Sequence, residues 1–501
     1  MKLHIDGNIN PYYIQTLCMM LFPGVKFAED EVETAESTAA YVTVGAYTED
    51  GTEKGISASV VLRCDGKEAK ASADVPFSPL YTREKTVKIA VGKCFFDAGE
   101  TLLSYRPVWG ILTGVRPAKL ASDYLAKGFD AETVKAILRD EMLVNPKKAS
   151  LATDVAVFER KLSLETKPDT CSLYISIPFC PTRCAYCSFV SYTTPRLLGL
   201  IPAYLVRLCE DIDRAFAIMR ENHLRLETVY IGGGTPTTLN EEQLTVLLER
   251  ITRNIDPSEL MEFTLEGGRP DTITEEKLHI AKAYGVTRMS INPQTLNDEI
   301  LAAIGRRHTT EEFLRAYAMA RDSGIPHLNT DLIAGLPEES FISFSKSVDR
   351  ILALRPDNIT VHTFCVKKAA EILREGTDVY SRTGGDTGKS VEYSHVSIMN
   401  AGYLPYYLYR QKNTVGNYEN VGFCLPGTEG LYNILMMEEL HSVFAVGAGA
   451  VTKLVSPKRQ HIERIFSPKY PYEYLAPDAK TTVDASAAAH IREFFEQYRD
   501  E

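Results

Sequence analysis

Hydrophobic and polar positions fall into two regimes along this chain. From about residue 170 to 365, short apolar or alternating runs are each followed by a stretch of helical periodicity. The runs Leu173–Ile177, Thr228–Gly232, Glu262–Glu266, Arg288–Asn292, Leu328–Ala334 and Ile359–Phe364 predict strands, each bounded by Gly, Pro or polar residues. The helices between them carry start signals. Asn240 with Gln243, and Thr309 with Glu312, have the capping-box spacing, in which each side chain satisfies an orphan amide of the first turn. Strands joined by crossover helices pair in parallel. Six such units predict an α/β fold, a partial (β/α)6 barrel with its chemistry in loops at the carboxyl ends of the strands.

Outside that span the pattern changes. Ala40–Ala46, Ile56–Arg63 and Thr86–Val91 alternate like strands, and helical periodicity runs from Lys119 to about Leu162. The expectation is an N-terminal α+β domain over 1–110, a helical linker over 111–167, the barrel over 168–370 and a C-terminal extension over 371–501, set over the barrel mouth. Leu112-Thr113-Gly114-Val115-Arg116-Pro117 is a compact turn, and Arg116 there suits a domain hinge.

Composition narrows the function classes. With 45% hydrophobic and 24% charged residues, the 501-residue chain has ample material for cores and is neither disordered nor fibrous. Its 66 acids exceed its 55 bases, a net charge of −11 that argues against general nucleic-acid binding. A local basic pocket for an acidic small molecule is compatible with that balance. The amino terminus meets Asp6 at once, unlike a signal peptide, and no apolar run approaches the ~18 residues of a membrane span. A soluble, cytoplasmic protein without membrane insertion is expected.

Ten cysteines are too sparse for a disulfide scaffold. Cys18, Cys64, Cys94, Cys209, Cys365 and Cys424 stand alone, as buried small hydrophobes do. Cys180, Cys184 and Cys187 instead sit together in Ile177-Pro178-Phe179-Cys180-Pro181-Thr182-Arg183-Cys184-Ala185-Tyr186-Cys187, directly after the first barrel strand. Three soft thiolates in one loop suit an iron–sulfur cluster and leave one iron of four open to a substrate or cosubstrate. Structural zinc wants four ligands, usually as two separated pairs, and no second pair exists. Cys171 is a fourth candidate, but it precedes the strand. Gly232, Gly233 and Gly234 end the second strand, where missing side chains let backbone amides approach a polar group; alone, such a triplet is a plain turn.

The three-then-two cysteine spacing, with an aromatic before the third cysteine, resembles the radical S-adenosylmethionine (SAM) enzymes. More narrowly, Leu173-Tyr174-Ile175-Ser176-Ile177-Pro178-Phe179-Cys180 resembles the oxygen-independent coproporphyrinogen III oxidase family. The likeness continues in family order through Gly232-Gly233-Gly234-Thr235-Pro236-Thr237, Thr264-Leu265-Glu266, Arg288-Met289-Ser290-Ile291-Asn292-Pro293-Gln294 and Asp331-Leu332-Ile333-Ala334-Gly335-Leu336-Pro337. The N-terminal region and the cysteine loop are most similar to the coproporphyrinogen dehydrogenase branch of anaerobic and spore-forming Gram-positive bacteria.

This resemblance implies a 4Fe–4S cluster on Cys180, Cys184 and Cys187, with S-adenosyl-L-methionine as cosubstrate. It implies that Tyr174 and the segment Gly232, Gly233, Gly234 and Thr235 contact the cosubstrate, the glycines at its methionine part. Glu266 would hold it by hydrogen bonds, Gln294 and Arg306 would bind its methionyl end, and Asp331 would accept the ribose hydroxyls. A guanidinium can fork onto a carboxylate, so Arg306 is chemically suited. The implied reaction is oxidative decarboxylation of a tetrapyrrole, coproporphyrinogen III to protoporphyrinogen IX, in porphyrin and haem biosynthesis, with an unidentified low-potential electron donor. A haem carrier of the same family, or an enzyme that methylates and opens the haem ring, are the alternatives.

Two positions depart from the family pattern. Phe189 replaces a further cysteine two residues after the third ligand, as in the haem-trafficking branch, and Ser176 replaces a histidine four residues before the first. They bear on a second cosubstrate molecule and on proton traffic near the substrate, not on the cluster loop. The stretch Tyr403-Leu404-Pro405-Tyr406-Tyr407-Leu408-Tyr409-Arg410-Gln411-Lys412-Asn413 sets aromatics beside bases. It suits a flat tetrapyrrole with propionates and, equally, a buried aromatic strand with a solvated end. Ala445-Val446-Gly447-Ala448-Gly449-Ala450, near Lys453, resembles a late family segment under the barrel mouth and is no dinucleotide fingerprint. His362 is expected to be structural, while Lys367-Lys368 follow the sixth strand toward the same mouth.

The cysteine loop yields a direct test. Cys180→Ser, Cys184→Ser and Cys187→Ser should each give folded protein depleted of iron and of brown iron–sulfur absorbance, because hydroxyl substitutes poorly for thiolate at iron. Cys171→Ser should keep full iron by metal analysis. Iron loss there equal to that of the other three would instead establish a closed four-cysteine site.

Overall fold

The computed structural model describes residues 1–27, 34, 36–187, 192–365, 385–412 and 414–499. The smaller of its two sheets holds β1 (Lys2–Asp6), β2 (Ala39–Glu49), β3 (Thr52–Cys64) and β4 (Lys67–Pro76), in that spatial order. β2, β3 and β4 form an antiparallel meander, and β1 runs parallel to β2. Val42, Ile56, Ala58, Val60 and Leu62 are buried in a core shared with α1 (Pro11–Leu21) and α2 (Arg83–Leu103).

One expectation fails here. Thr86–Val91, expected to be a strand, lies inside α2. Ile89, Ala90 and Val91 are all fully buried, because α2 packs against both the sheet and α1. Burial on more than one side removes the polar face that marks a helical period, and a short window of it then mimics alternation. β4 escaped notice for the opposite reason. Its inner positions are Ala69, Ala71, Ala73 and Val75, with too little apolar bulk to signal a strand.

The linker is helical as expected, with α3 (Pro117–Ala126), α4 (Ala131–Ala136) and α5 (Pro146–Glu165). Pro146 opens α5 behind Asn145, whose side chain accepts from the Lys147 amide. Arg116 donates to the Met437 carbonyl at 2.7 Å and to Glu439 at 2.9 Å, which ties the turn to the C-terminal region.

The larger sheet contains β5 (Thr170–Ile177), β6 (Arg225–Gly233), β7 (Glu262–Glu266), β8 (Arg288–Ser290), β9 (His327–Ala334) and β10 (Asn358–Thr363), each parallel to the next. These are the six expected strands. Both expected capping boxes form, at Asn240/Gln243 and Thr309/Glu312. The C-terminal region then completes the same sheet at both edges, with β11 (Leu404–Arg410), β12 (Glu419–Cys424), β13 (Ser442–Val446), β14 (Val451–Val455) and β15 (Ile462–Phe466). β12 pairs antiparallel with β10 and carries β11, whereas β13 pairs parallel with β5 and carries β14 and β15. Among the described residues, no helix is long and apolar enough to cross a membrane.

A buried ion pair joins the parts. The Glu419 carboxylate on β12 accepts from Trp109 Nε1 at 2.7 Å and from Lys148 Nζ on α5 at 2.7 Å. Lys148 also reaches Glu392 at 2.6 Å. Burial pushes the Glu419 carboxyl up, but the Lys148 charge, His395 and the two hydrogen bonds hold it below the usual carboxylate range. Lys148→Met should therefore strand a buried charge and cost about 3–5 kcal/mol. The thermal unfolding midpoint, followed by circular dichroism, should fall sharply, and adding Glu419→Gln should recover part of the loss.

Candidate active site

The parallel strands β5 to β10 direct their carboxyl ends to one rim, which opens into a cavity of about 250 Å³. Cys180, Cys184 and Cys187 line it, with Gly233 at the end of β6, Gly234 and Thr235 just after it, and Glu266 at the end of β7. Gln294 comes from the segment after β8, Arg306 from the turn after helix Asp298–Ala303, and Asp331 from β9. Ten of the twelve expected site residues thus meet in one place.

The other two, Tyr174 and Gly232, are not among the lining residues and support the site from behind. The Tyr174 ring stacks on Tyr230 with centroids 6.0 Å apart, Tyr230 stacks on Tyr432 at 4.5 Å, and the Tyr230 hydroxyl donates to Glu266. A Cβ on Gly232 would stand 2.8 Å from the Tyr230 ring and 3.0 Å from Glu266 Oε2, so a side chain there would have to displace both. Burial raises Glu266 to about 7, against the lowering effect of the Tyr230 hydrogen bond.

Backbone hydrogen bonds fix the cysteine loop against the glycine segment. Gly234 N donates to Ile177 O and Thr235 N to Phe179 O, both at 2.8 Å. A Cβ on Gly234 would fall 2.6 Å from Phe179 O and 2.9 Å from Cys180 Sγ, too close for any side chain. Thr235 Oγ1 lies 3.3 Å from Cys180 Sγ. Arg269, buried and paired with Asp271 at 3.0 Å, places Nη1 3.7 Å from Cys184 Sγ. Sequence reasoning missed Arg269, although it stands three residues after Glu266 in Gly267-Gly268-Arg269-Pro270.

After β8 the chain passes Pro293 and returns to β9. The Gln294 amide donates to Asp331 O at 3.0 Å, and Gln294 takes a left-handed φ of 70°. Arg306 is braced by the carbonyls of Asn292 and Gly268. Buried Asn292 Oδ1, Gln294 Oε1 and Arg306 Nε have no hydrogen-bond partner, and all three residues line the cavity. Such atoms are rare unless a bound molecule satisfies them.

The outer wall comes from the C-terminal strands. Tyr409, Gln411 and Asn420 line the cavity, whereas Tyr406 and Tyr407 are buried in the core. The aromatic stretch is therefore a buried strand whose last residues reach the cavity wall. His362 also faces the cavity, with Nδ1 3.3 Å from the Tyr409 hydroxyl and Nε2 3.6 Å from Asp331. Ser176 Oγ donates to Ala448 O at 2.9 Å, tying β5 to the turn after β13. Cys171 is fully buried at the opposite end of β5 and does not line the cavity. Phe189, Lys367, Lys368 and Asn413 lie outside the described residues.

These residues fit a cluster with a polar cosubstrate. Among the described residues, no three His, Cys, Asp or Glu side chains converge as ligands of one ion would. A cluster needs no such convergence, since each thiolate takes its own iron. The unpartnered amide and guanidinium atoms supply complementary polar contacts beside it.

Comparison with known proteins agrees with this geometry. Residues 174–351 match the model of the radical SAM superfamily. The chain is 37% identical, over 79% of its length and 81% of the relative's, to the oxygen-independent coproporphyrinogen-III oxidase-like protein HemZ of Bacillus subtilis. It is also 30% identical to the heme chaperone HemW of that organism, over 60% of this chain and 77% of HemW. The solved coproporphyrinogen III oxidase HemN of Escherichia coli superposes with a TM-score of 0.50 at 20% identity, over 64% of this chain and 71% of HemN, and so shares the fold. Its α/β barrel, its cysteine-lined rim and the similarity sustained over most of its length place this chain in the radical SAM superfamily, within the family of HemZ, HemN and HemW, with a 4Fe–4S cluster and S-adenosyl-L-methionine as its cofactors.

Proposed function

We propose that this protein catalyses the oxygen-independent oxidative decarboxylation of coproporphyrinogen III to protoporphyrinogen IX. The carrying observation is the single cavity in which three cysteines meet Glu266, Asp331 and the unpartnered atoms of Asn292, Gln294 and Arg306. Similarity to HemZ over four-fifths of that relative supports the substrate class.

Cys180, Cys184 and Cys187 are the cluster ligands in this reading, and the Arg269 guanidinium stands beside Cys184. When bound, the cluster and cosubstrate supply one-electron chemistry able to take a hydrogen atom from an unactivated carbon. The chain's own residues bind and aim. Gln294 and Arg306 offer their unpartnered atoms to the methionyl end, and Gly232, Gly233, Gly234 and Thr235 keep that side open to backbone contact. Glu266 accepts a hydrogen bond from the cosubstrate, with Tyr174 and Tyr230 holding it from below. Asp331, steadied by His362, receives the ribose hydroxyls. Tyr409 and Gln411 face the tetrapyrrole; in each of two rounds one of its propionates would give a hydrogen atom to the adenosyl part of the cosubstrate, release carbon dioxide and pass one electron to an oxidant outside the chain. A low-potential donor outside the chain delivers the reducing electron.

Haem carriage is a second reading, supported by the likeness to HemW and by Phe189. Anaerobic incubation with reductant, cosubstrate and coproporphyrinogen III separates the two. Mass spectrometry should find 5′-deoxyadenosine and a product lacking two carboxyl groups. Stoichiometric haem binding with no decarboxylated product would favour the carrier, and a methylated, ring-opened product from haem the degradative alternative.

Glu266 supplies a test with a defined sign. Its carboxyl, raised to about 7, is largely protonated at pH 6 and ionised at pH 8. A cationic cosubstrate favours the carboxylate, so binding at pH 6 should release a proton and affinity should rise with pH through neutrality. Calorimetry in buffers of different ionisation enthalpy measures that proton. Glu266→Gln should abolish its release.

A further inference from the structure

A second cavity lies on the N-terminal domain. It is a cleft of about 490 Å³ lined by α1 and α2, the turn 111–117 and Lys412, just beyond β11. A narrower recess shares Thr16, Val115 and Lys412 with the cleft and extends to Gln411. Gln411 also lines the cysteine cavity. The two cavities therefore adjoin through the recess at the end of β11.

The side chains facing the cleft have a common character. Lys85, Lys88 and Lys412 bring three ammonium groups to one wall system in a chain whose net charge is −11. The Lys85 ammonium is half-buried and has no ion-pair or hydrogen-bond partner among the described residues. Burial, and then the charge of Lys88, lowers its pKa. Lys412 is set 4.2 Å over the ring of Tyr12, a cation–π contact in place of a carboxylate. Of the three, only Lys88 has an acid among the described residues, Glu84 at 2.6 Å. An ammonium partly withdrawn from water without a counter-ion is costly to maintain, and an incoming anion removes that cost.

The rest of the lining selects among anions. Tyr12 is 55% exposed and Val115 47% exposed, and with Leu120 they form the apolar surface of the cleft. Inorganic phosphate would use the ammoniums but leave the ring and the apolar wall unused. A flat molecule with carboxylates at its edge uses both. We propose that this cleft binds a planar polycarboxylate, a site separate from the cysteine cavity and neighbouring it across the recess at the end of β11. That this ligand is the tetrapyrrole rests on the function proposed above. On that basis the N-terminal domain holds the macrocycle by its carboxylates near the barrel cavity.

The experiment uses the full-length, cluster-reconstituted protein and two probes, coproporphyrin III followed by fluorescence and benzene hexacarboxylate followed by calorimetry. The paired substitution Lys85→Gln/Lys88→Gln should weaken coproporphyrin by about tenfold or more, the value of one charge-assisted hydrogen bond. Lys70→Gln, an exposed lysine on β4, should leave affinity as it was. In the unsubstituted protein, bound coproporphyrin should shield Lys85 from amine acetylation, read by peptide mass spectrometry, so the test survives even if the paired variant folds poorly. Unchanged affinity in a folded paired variant, undiminished acetylation of Lys85, or no binding of either probe would overturn the cleft. Lysine-dependent binding of benzene hexacarboxylate without coproporphyrin binding would uphold the cleft and count against the tetrapyrrole function. Coproporphyrin binding that ignores both lysines would do the reverse.

Discussion

Parallel strand pairing is the constraint on which the rest of this structure depends. Among the described residues, β13 and β5 to β10 form an unbroken parallel run, so every one of these strands ends on the same rim. Residues as distant in the chain as Cys180, Glu266 and Asp331 become neighbours only because of it. Parallel sheets demand cover on both faces, and β5 and β7 are accordingly buried almost throughout. Side chains able to do chemistry are thereby confined to the strand ends.

The sheet's edges are closed by the C-terminal strands, and this ties the cavity to the N-terminal half. Glu419, held by Trp109 and Lys148, is followed by Asn420, whose side chain accepts from the Thr363 amide at the end of β10. Thr363 Oγ1 in turn donates to the Glu419 carbonyl. Asn420 and Thr363 both line the cavity. The buried charge pair thus stands directly behind the cavity wall. Such a pair contributes little net stability against an apolar replacement, but it penalises every misdocked arrangement that would leave one partner alone.

Charge within the cavity is divided by height. Arg269 lies beside Cys184, and Arg306 is braced by backbone carbonyls near the same loop, so positive charge gathers where thiolates are needed. Glu266 sits on the tyrosine stack, poised near neutrality by burial. Asp331 keeps its carboxylate near His362 and, through it, Tyr409. The adjoining cleft repeats the logic with lysines in place of arginines.

How much of this was readable beforehand depends on the range of the forces involved. Strand and helix periods, the two capping boxes and the contiguous motifs around Cys180, Gly233 and Asp331 are local, and the sequence determined them together with the class of chemistry. Arg269 was invisible because no local pattern distinguishes a guanidinium aimed at a thiolate from one in solvent. The helix over Thr86–Val91 was mistaken because burial on several sides hides its period. Only the tertiary structure decided that β11, β12 and β13 join the barrel sheet, that Tyr409 faces the cavity while Tyr406 is core, and that Cys171 lies far from the cluster loop. Each of these depends on which distant strand supplies a partner, and hydrogen-bonding edges, unlike hydrophobic periods, carry no address in the sequence.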